Sequence, residues 1–178
     1  METERGEFSK VWHRDKKWLA SRSVRRIVHL VFFLSFVITA TAAELPYNET
    51  ADAKADIKQA LATGGNKPVI VVFGANWCPD CRVLDIAMKK GASASLLARD
   101  FKIVKVDVGH FDKNKDVAES YGVPLKEGIP AVAIISPKNQ VLYVTKEGEL
   151  ADARNMGDDG IYQFFKRVTA EAKGKQRR

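Results

Sequence analysis

Val69-Ile70-Val71-Val72-Phe73-Gly74-Ala75-Asn76-Trp77-Cys78-Pro79-Asp80-Cys81 decides the fold of this 178-residue chain. The run Val69–Phe73 is apolar throughout, the pattern of a strand buried on both faces. Directly after it stand both of the chain's cysteines, two residues apart. One helical turn puts both sulfurs near a helix N-terminus, within reach of a disulfide. Backbone N–H groups and the helix dipole stabilise a thiolate there. The C-terminal end of such a strand is where open α/β sheets place their active sites.

Three chemistries compete for the pair. A structural zinc needs four ligands, and the chain offers only His13, His29 and His110 besides the two cysteines. Carboxylates could complete a site, but no ligand-spaced cluster stands out, so no metal is expected. A purely structural disulfide closing so small a loop stabilises weakly, because the entropic gain grows with loop length. A dithiol that cycles between reduced and oxidised forms is the favoured reading.

The N-terminal residues read as an export signal. Arg22, Arg25 and Arg26 precede the apolar stretch 27–38, and Thr39-Ala40-Thr41-Ala42-Ala43 then supplies small residues before Glu44. Cleavage after Ala43 fits best, with Thr41 at the −3 position, and cleavage after Ala42 is the alternative. A retained anchor is the competing reading, at the lower edge of what spans a bilayer. The expected compartment is the periplasm, or the inner membrane facing it if the segment stays. An oxidising compartment lets a disulfide persist. Residues 1–43 hold eight basic and four acidic groups, leaving 21 basic and 18 acidic from residue 44 on. The net charge of +7 is thus partly a property of the leader. No basic patch with interleaved aromatics points to nucleic acid. The basic tail from about residue 173 (Lys173, Lys175, Arg177, Arg178) reads as a solvated, frayed end.

Residues 44–178, about 135, fit one domain with a core of its own. Helices are expected at about 51–63, after Cys78 as far as Lys89-Lys90-Gly91, at about 113–121, and around Ile161, Phe164, Phe165 and Val168. Strands are expected at 69–73, near 101–107, at 131–135 and at 141–144, the last two joined as a hairpin by Ser136-Pro137-Lys138-Asn139. Alternation early and a hairpin late call for an α/β fold, a mixed central sheet covered by helices.

Beyond the cysteine motif, Gly128-Ile129-Pro130-Ala131, Lys105-Val106-Asp107 and Tyr121-Gly122-Val123 complete a resemblance. Over most of residues 50–173 the chain resembles the thioredoxin-like superfamily, and most of all its exported thiol:disulfide interchange or disulfide-isomerase-like members. The resemblance implies a thioredoxin fold and a redox-active disulfide between Cys78 and Cys81. It makes Cys78 the exposed nucleophile and Cys81 the more buried resolving thiol. Pro79 suits the first helical turn. Trp77 is expected beside the sulfurs, and a cis Pro130 against Cys78 would leave the Ile129 backbone to pair with an extended substrate. The implied partners are protein thiols or disulfides and a redox partner protein, with no cofactor. A monomer is expected. A carrier dedicated to one partner, as in cytochrome maturation, and a redox-inactive binding module are the alternatives.

Three features depart from the thioredoxin pattern. Val72 stands where thioredoxins place a buried acid. Asp80, in mid-motif, should oppose a Cys78 thiolate, with Arg82 and the helix dipole acting the other way. Residues 124–127 lengthen the loop before Gly128 beside the expected site, and residues 147–157, read as a solvated loop, lengthen the approach to the last helix. His110 reads as a surface-loop residue.

Overall fold

The computed structural model describes residues 45–178; the leader reading of residues 1–43 lies outside them. Five helices and four strands follow in the order α1 (Ala53–Thr63), β1 (Val69–Gly74), α2 (Pro79–Met88), α3 (Gly91–Asp100), β2 (Lys102–Asp107), α4 (Lys115–Ser120), β3 (Ala131–Ile135), β4 (Val141–Val144) and α5 (Ala153–Gln176). A 3-10 turn, Leu125–Glu127, precedes β3. Asp52 caps α1 by accepting from the N–H groups of Lys54 and Ala55, both at 3.0 Å.

The sheet order is β2-β1-β3-β4. β1 runs parallel to β2 and antiparallel to β3, and β3 pairs antiparallel with β4. This is the mixed sheet with a late hairpin that the pattern called for. All six residues of β1 are buried, because β1 sits inside the sheet and helices cover both faces. Its side chains alternate between two cores. Val69, Val71 and Phe73 join Ile57, Val104, Val106 and Val117. Ile70 and Val72 join Leu84, Leu97, Ile161, Phe164 and Phe165 on the other face.

One element went unread and two expectations need correction. The segment after Lys89-Lys90 is a separate helix, α3, which periodicity did not reveal: it buries only Ser93 and Leu97. The basic tail is not frayed, since α5 continues to Gln176, Lys173 pairs with Asp100 at 2.9 Å and Lys175 donates to the Leu142 carbonyl at 2.8 Å. Residues 147–157 are not a solvated loop either. Leu150 and Ala153 are fully buried in the core with Phe165, and the segment turns into α5, which kinks at Gly157 (φ 64°, ψ 173°).

Replacing Leu150 by Ala removes a side chain from a packed interior and should cost about 2–5 kcal/mol. Chemical denaturation checks this; a loss below about 0.5 kcal/mol, the size of an ordinary surface substitution, would return the segment to the status of a loop.

Candidate active site at the start of helix α2

β1 ends at Gly74, and the chain turns through Ala75-Asn76-Trp77 to start α2. Cys78 is the residue that caps that helix: its backbone is extended (φ −78°, ψ 115°) and its sulfur accepts the Cys81 N–H at 3.2 Å. Pro79 occupies the first helical turn as expected, where its missing N–H costs nothing. Both cysteines are thiols. The Cys78 sulfur lies 3.6 Å from the Ile129 carbonyl oxygen, and the Ile129–Pro130 peptide is cis. Four of the expected residues, Cys78, Cys81, Ile129 and Pro130, therefore meet at one place, although 51 positions separate Cys78 from Ile129 in the chain.

The two sulfurs are driven apart electrostatically. The Cys81 thiol donates to the Cys78 sulfur, which with the Cys81 and Asp80 backbone N–H groups outweighs burial and the Asp80 charge and lowers the Cys78 pKa to about 7. Cys81 moves the other way, because its proton is engaged by Cys78 and its sulfur is buried. One sulfur is thus poised as a thiolate near neutrality and the other held as a thiol.

Cys78 is not the exposed residue expected. It is 3 % exposed, because the Ile129 carbonyl lies against its sulfur and the helix start closes the other side. Trp77 and Pro79 are the exposed members of the motif, Trp77 at 46 %. The Trp77 ring contacts the loop after β2: it stacks on His110 at 5.3 Å, meets Phe111 edge-on at 6.0 Å, and donates from Nε1 to the Gly109 carbonyl. His110 is exposed, as read, yet the stacking brings it beside the motif.

Asp80 is buried, and its partner is Arg154 at the start of α5. The Arg154 backbone N–H donates to Asp80 Oδ1 at 3.0 Å, and Nε lies 3.1 Å and 3.2 Å from the two carboxylate oxygens. Arg154 and burial act in opposite senses on Asp80, and its pKa falls below the usual carboxylate value. Arg154 belongs to the segment 147–157, which sequence left without a role. That segment also touches the lengthened loop: Gly128 (φ 112°) has no room for a Cβ beside Ala151. The two lengthened segments thus build one flank of the site. On its surface, Phe111, Val123, Pro124, Leu125 and Gly128 line a depression of about 530 Å³.

Sequence reasoning missed Tyr47 as well. Its ring is buried in the core with both cysteines, and its hydroxyl stands next to the Cys81 sulfur beside Gly74. No local pattern marks Tyr47 or Arg154, since both reach the motif through the fold. Among the described residues, no group of His, Cys, Asp and Glu is placed to hold a metal ion.

A dithiol capping a helix at the end of a buried strand, closed over by a cis-proline loop, defines a class of proteins built on the thioredoxin fold. Residues 48–137 match the family model described as Thioredoxin-like. The chain is 32% identical to a thioredoxin of Mycoplasmoides gallisepticum over 101 residues, 57% of this chain and 80% of that protein. It is 35% identical to a thioredoxin-like protein of Synechocystis over 88 residues, 49% of this chain and 72% of that one. The crystal structure of a disulphide isomerase from Xylella fastidiosa Temecula1 is 49% identical, with a TM-score of 0.69 over 72% of this chain and 99% of that chain. The chain belongs to the thioredoxin-like family.

Iodoacetamide alkylation of Cys78 should rise with pH around a midpoint near 7, since a lowered pKa populates the thiolate at lower pH. Asp80→Asn removes an opposing anion and leaves the Arg154 cation beside the site, so the midpoint should move down and the thiolate ratio at fixed pH rise roughly two- to tenfold. An upward move would show that Asp80 acts on Cys78 by some route other than its charge.

Proposed function

We propose that this protein is a thiol:disulfide oxidoreductase that works on protein disulfides through the Cys78/Cys81 couple. The observation that carries the reading is the asymmetry of the pair: a capped Cys78 sulfur with a pKa near 7 above a buried, protonated Cys81. The Cys78 thiolate attacks a substrate disulfide and forms a mixed disulfide. Cys81 then attacks Cys78, releases the substrate thiol and leaves the Cys78–Cys81 disulfide. Family membership and the 49% identity to the Xylella disulphide isomerase support the assignment.

Substrate enters, in this reading, as an extended segment beside Ile129 and Pro130. The depression lined by Phe111, Pro124 and Leu125 offers an apolar seat for one of its side chains. Partners are protein thiols and disulfides together with a redox protein that resets the couple. The compartment proposed is the periplasm, on the strength of the basic, apolar and small-residue succession within residues 22–43. No helix among the described residues is long and apolar enough to cross a membrane.

Full-length Cys81→Ala protein should accumulate mixed disulfides that dithiothreitol releases and that Cys78→Ala abolishes. A glutathione titration of the unaltered chain should give a reversible two-electron couple. A reducing midpoint would assign a reductase or single-partner carrier, and an oxidising one an isomerase or oxidase. A chain that neither oxidises reversibly nor traps any protein would be a binding module on the same fold.

A further inference from the structure

The second half of that reaction places a demand on Cys81 that the motif alone does not meet. Cys81 must surrender its proton while fully buried, and burial penalises the thiolate. The position six residues before Cys78, where thioredoxins keep an acid, holds Val72. Val72 also faces away: it packs with Leu84, Leu97 and Phe165, in the core on the other side of the sheet from Cys78 and Cys81. The proton on Cys81 needs a different polar neighbour.

Tyr47 is that neighbour. It is buried in the same core as the two cysteines, and its hydroxyl and the Cys81 sulfur border the same point beside Gly74, where the phenol O–H favours the Cys81 thiolate. Three features aim it there. The Tyr47 N–H donates to Asn76 Oδ1 at 3.0 Å, and Asn76 Nδ2 returns a bond to the Tyr47 carbonyl at 2.8 Å. The segment ahead of α1 is thereby fastened to the loop that carries the cysteines, with Asn76 Nδ2 also reaching Glu49 at 2.9 Å. Finally, Gly74 leaves the space the hydroxyl occupies: a Cβ there would overlap both the Tyr47 hydroxyl and the Cys81 sulfur. The titratable groups facing Tyr47 are Cys81, Cys78 and Asp85, all carried by the α2 segment. Asp85 is itself paired with Lys89 at 2.9 Å and with Lys105. Burial and these groups raise the phenol's pKa well above its ordinary value, so it stays a neutral O–H donor.

We propose that Tyr47 supplies the polar support that Val72 cannot, donating its O–H to stabilise the Cys81 sulfur as that sulfur loses its proton and attacks Cys78. In this step the Cys81 S–H bond and the Cys78–substrate S–S bond break, and the Cys78–Cys81 bond forms. The electron pair leaves on the substrate sulfur, which takes up the released proton directly or through water. The phenolic proton stays on Tyr47 throughout. The inference rests on the oxidoreductase reading.

A chromogenic aromatic disulfide, 5,5′-dithiobis(2-nitrobenzoate), separates the two halves with the full chain. Attack by Cys78 releases a first thionitrobenzoate, and closure by Cys81 releases a second; Cys81→Ala should show the first alone. Tyr47→Phe keeps the ring and removes only the donor. It should leave the first phase at the wild-type rate, slow the second by about tenfold or more, and move the pH midpoint of that second phase upward. Gly74→Ala, which crowds the hydroxyl while retaining it, should slow the same phase. An unchanged second phase in Tyr47→Phe, or both phases slowed alike, overturns the role. A wild-type chain that releases no second equivalent overturns the oxidoreductase reading first, and this inference with it.

Discussion

The burial of β1 on both faces is the constraint from which the rest of the structure follows. A strand whose successive side chains enter two different cores cannot shift by one residue without exchanging them. Its register against Lys102–Asp107 on one side and Ala131–Ile135 on the other is therefore fixed. With the register set, the strand's last residue, Gly74, lands opposite Asp107, and the chain must turn there into α2. The same register holds β3 beside β1, which delivers Ile129 and Pro130, immediately before β3, to the helix start. The meeting of Cys78 with the Ile129 carbonyl follows from sheet order, which brings the two within 3.6 Å.

Charge at the helix start is arranged by segments outside the motif. An N-terminal helix turn favours anions, and Asp80 and a Cys78 thiolate both claim that field. Two neighbouring anions at a buried site raise each other's cost. Arg154 relieves this by holding Asp80 with its guanidinium and its backbone N–H. It can do so because Leu150 and Ala153 anchor the approach to α5 in the core, while Ala151 packs on Gly128. The lengthened loops thereby serve two ends. The first loop walls the depression beside the cis-proline loop, and the second sets the electrostatic background of the dithiol.

Much of the architecture was legible because it is written in local periodicity. Four strands, the hairpin, the helix after Cys78 and the apolar stripe of α5 were all readable from apolar spacing and from glycines and prolines at their ends. Helix α3 was not, since it buries only Ser93 and Leu97 and its glycine start reads equally as the end of α2. The basic tail misled for a related reason: a run rich in lysine looks solvated, whereas Lys173 and Lys175 lie along a helix whose other side carries Val168, Thr169 and Ala172 into the core.

The site divides along the same line. The sequence by itself determined that two cysteines stand at a helix start after a buried strand, because short spacing and strand periodicity are properties of neighbouring residues; that a Gly-Ile-Pro segment belongs with them was implied only by the family resemblance. Only the tertiary structure decided that Cys78 is covered, that Trp77 faces His110, that Asp80 answers to Arg154 and that Cys81 touches Tyr47. Asp80 lies 74 residues from Arg154, and Tyr47 is fastened to Asn76 across 29. Contacts of that span are created when two cores close around one sheet, and no local pattern records them.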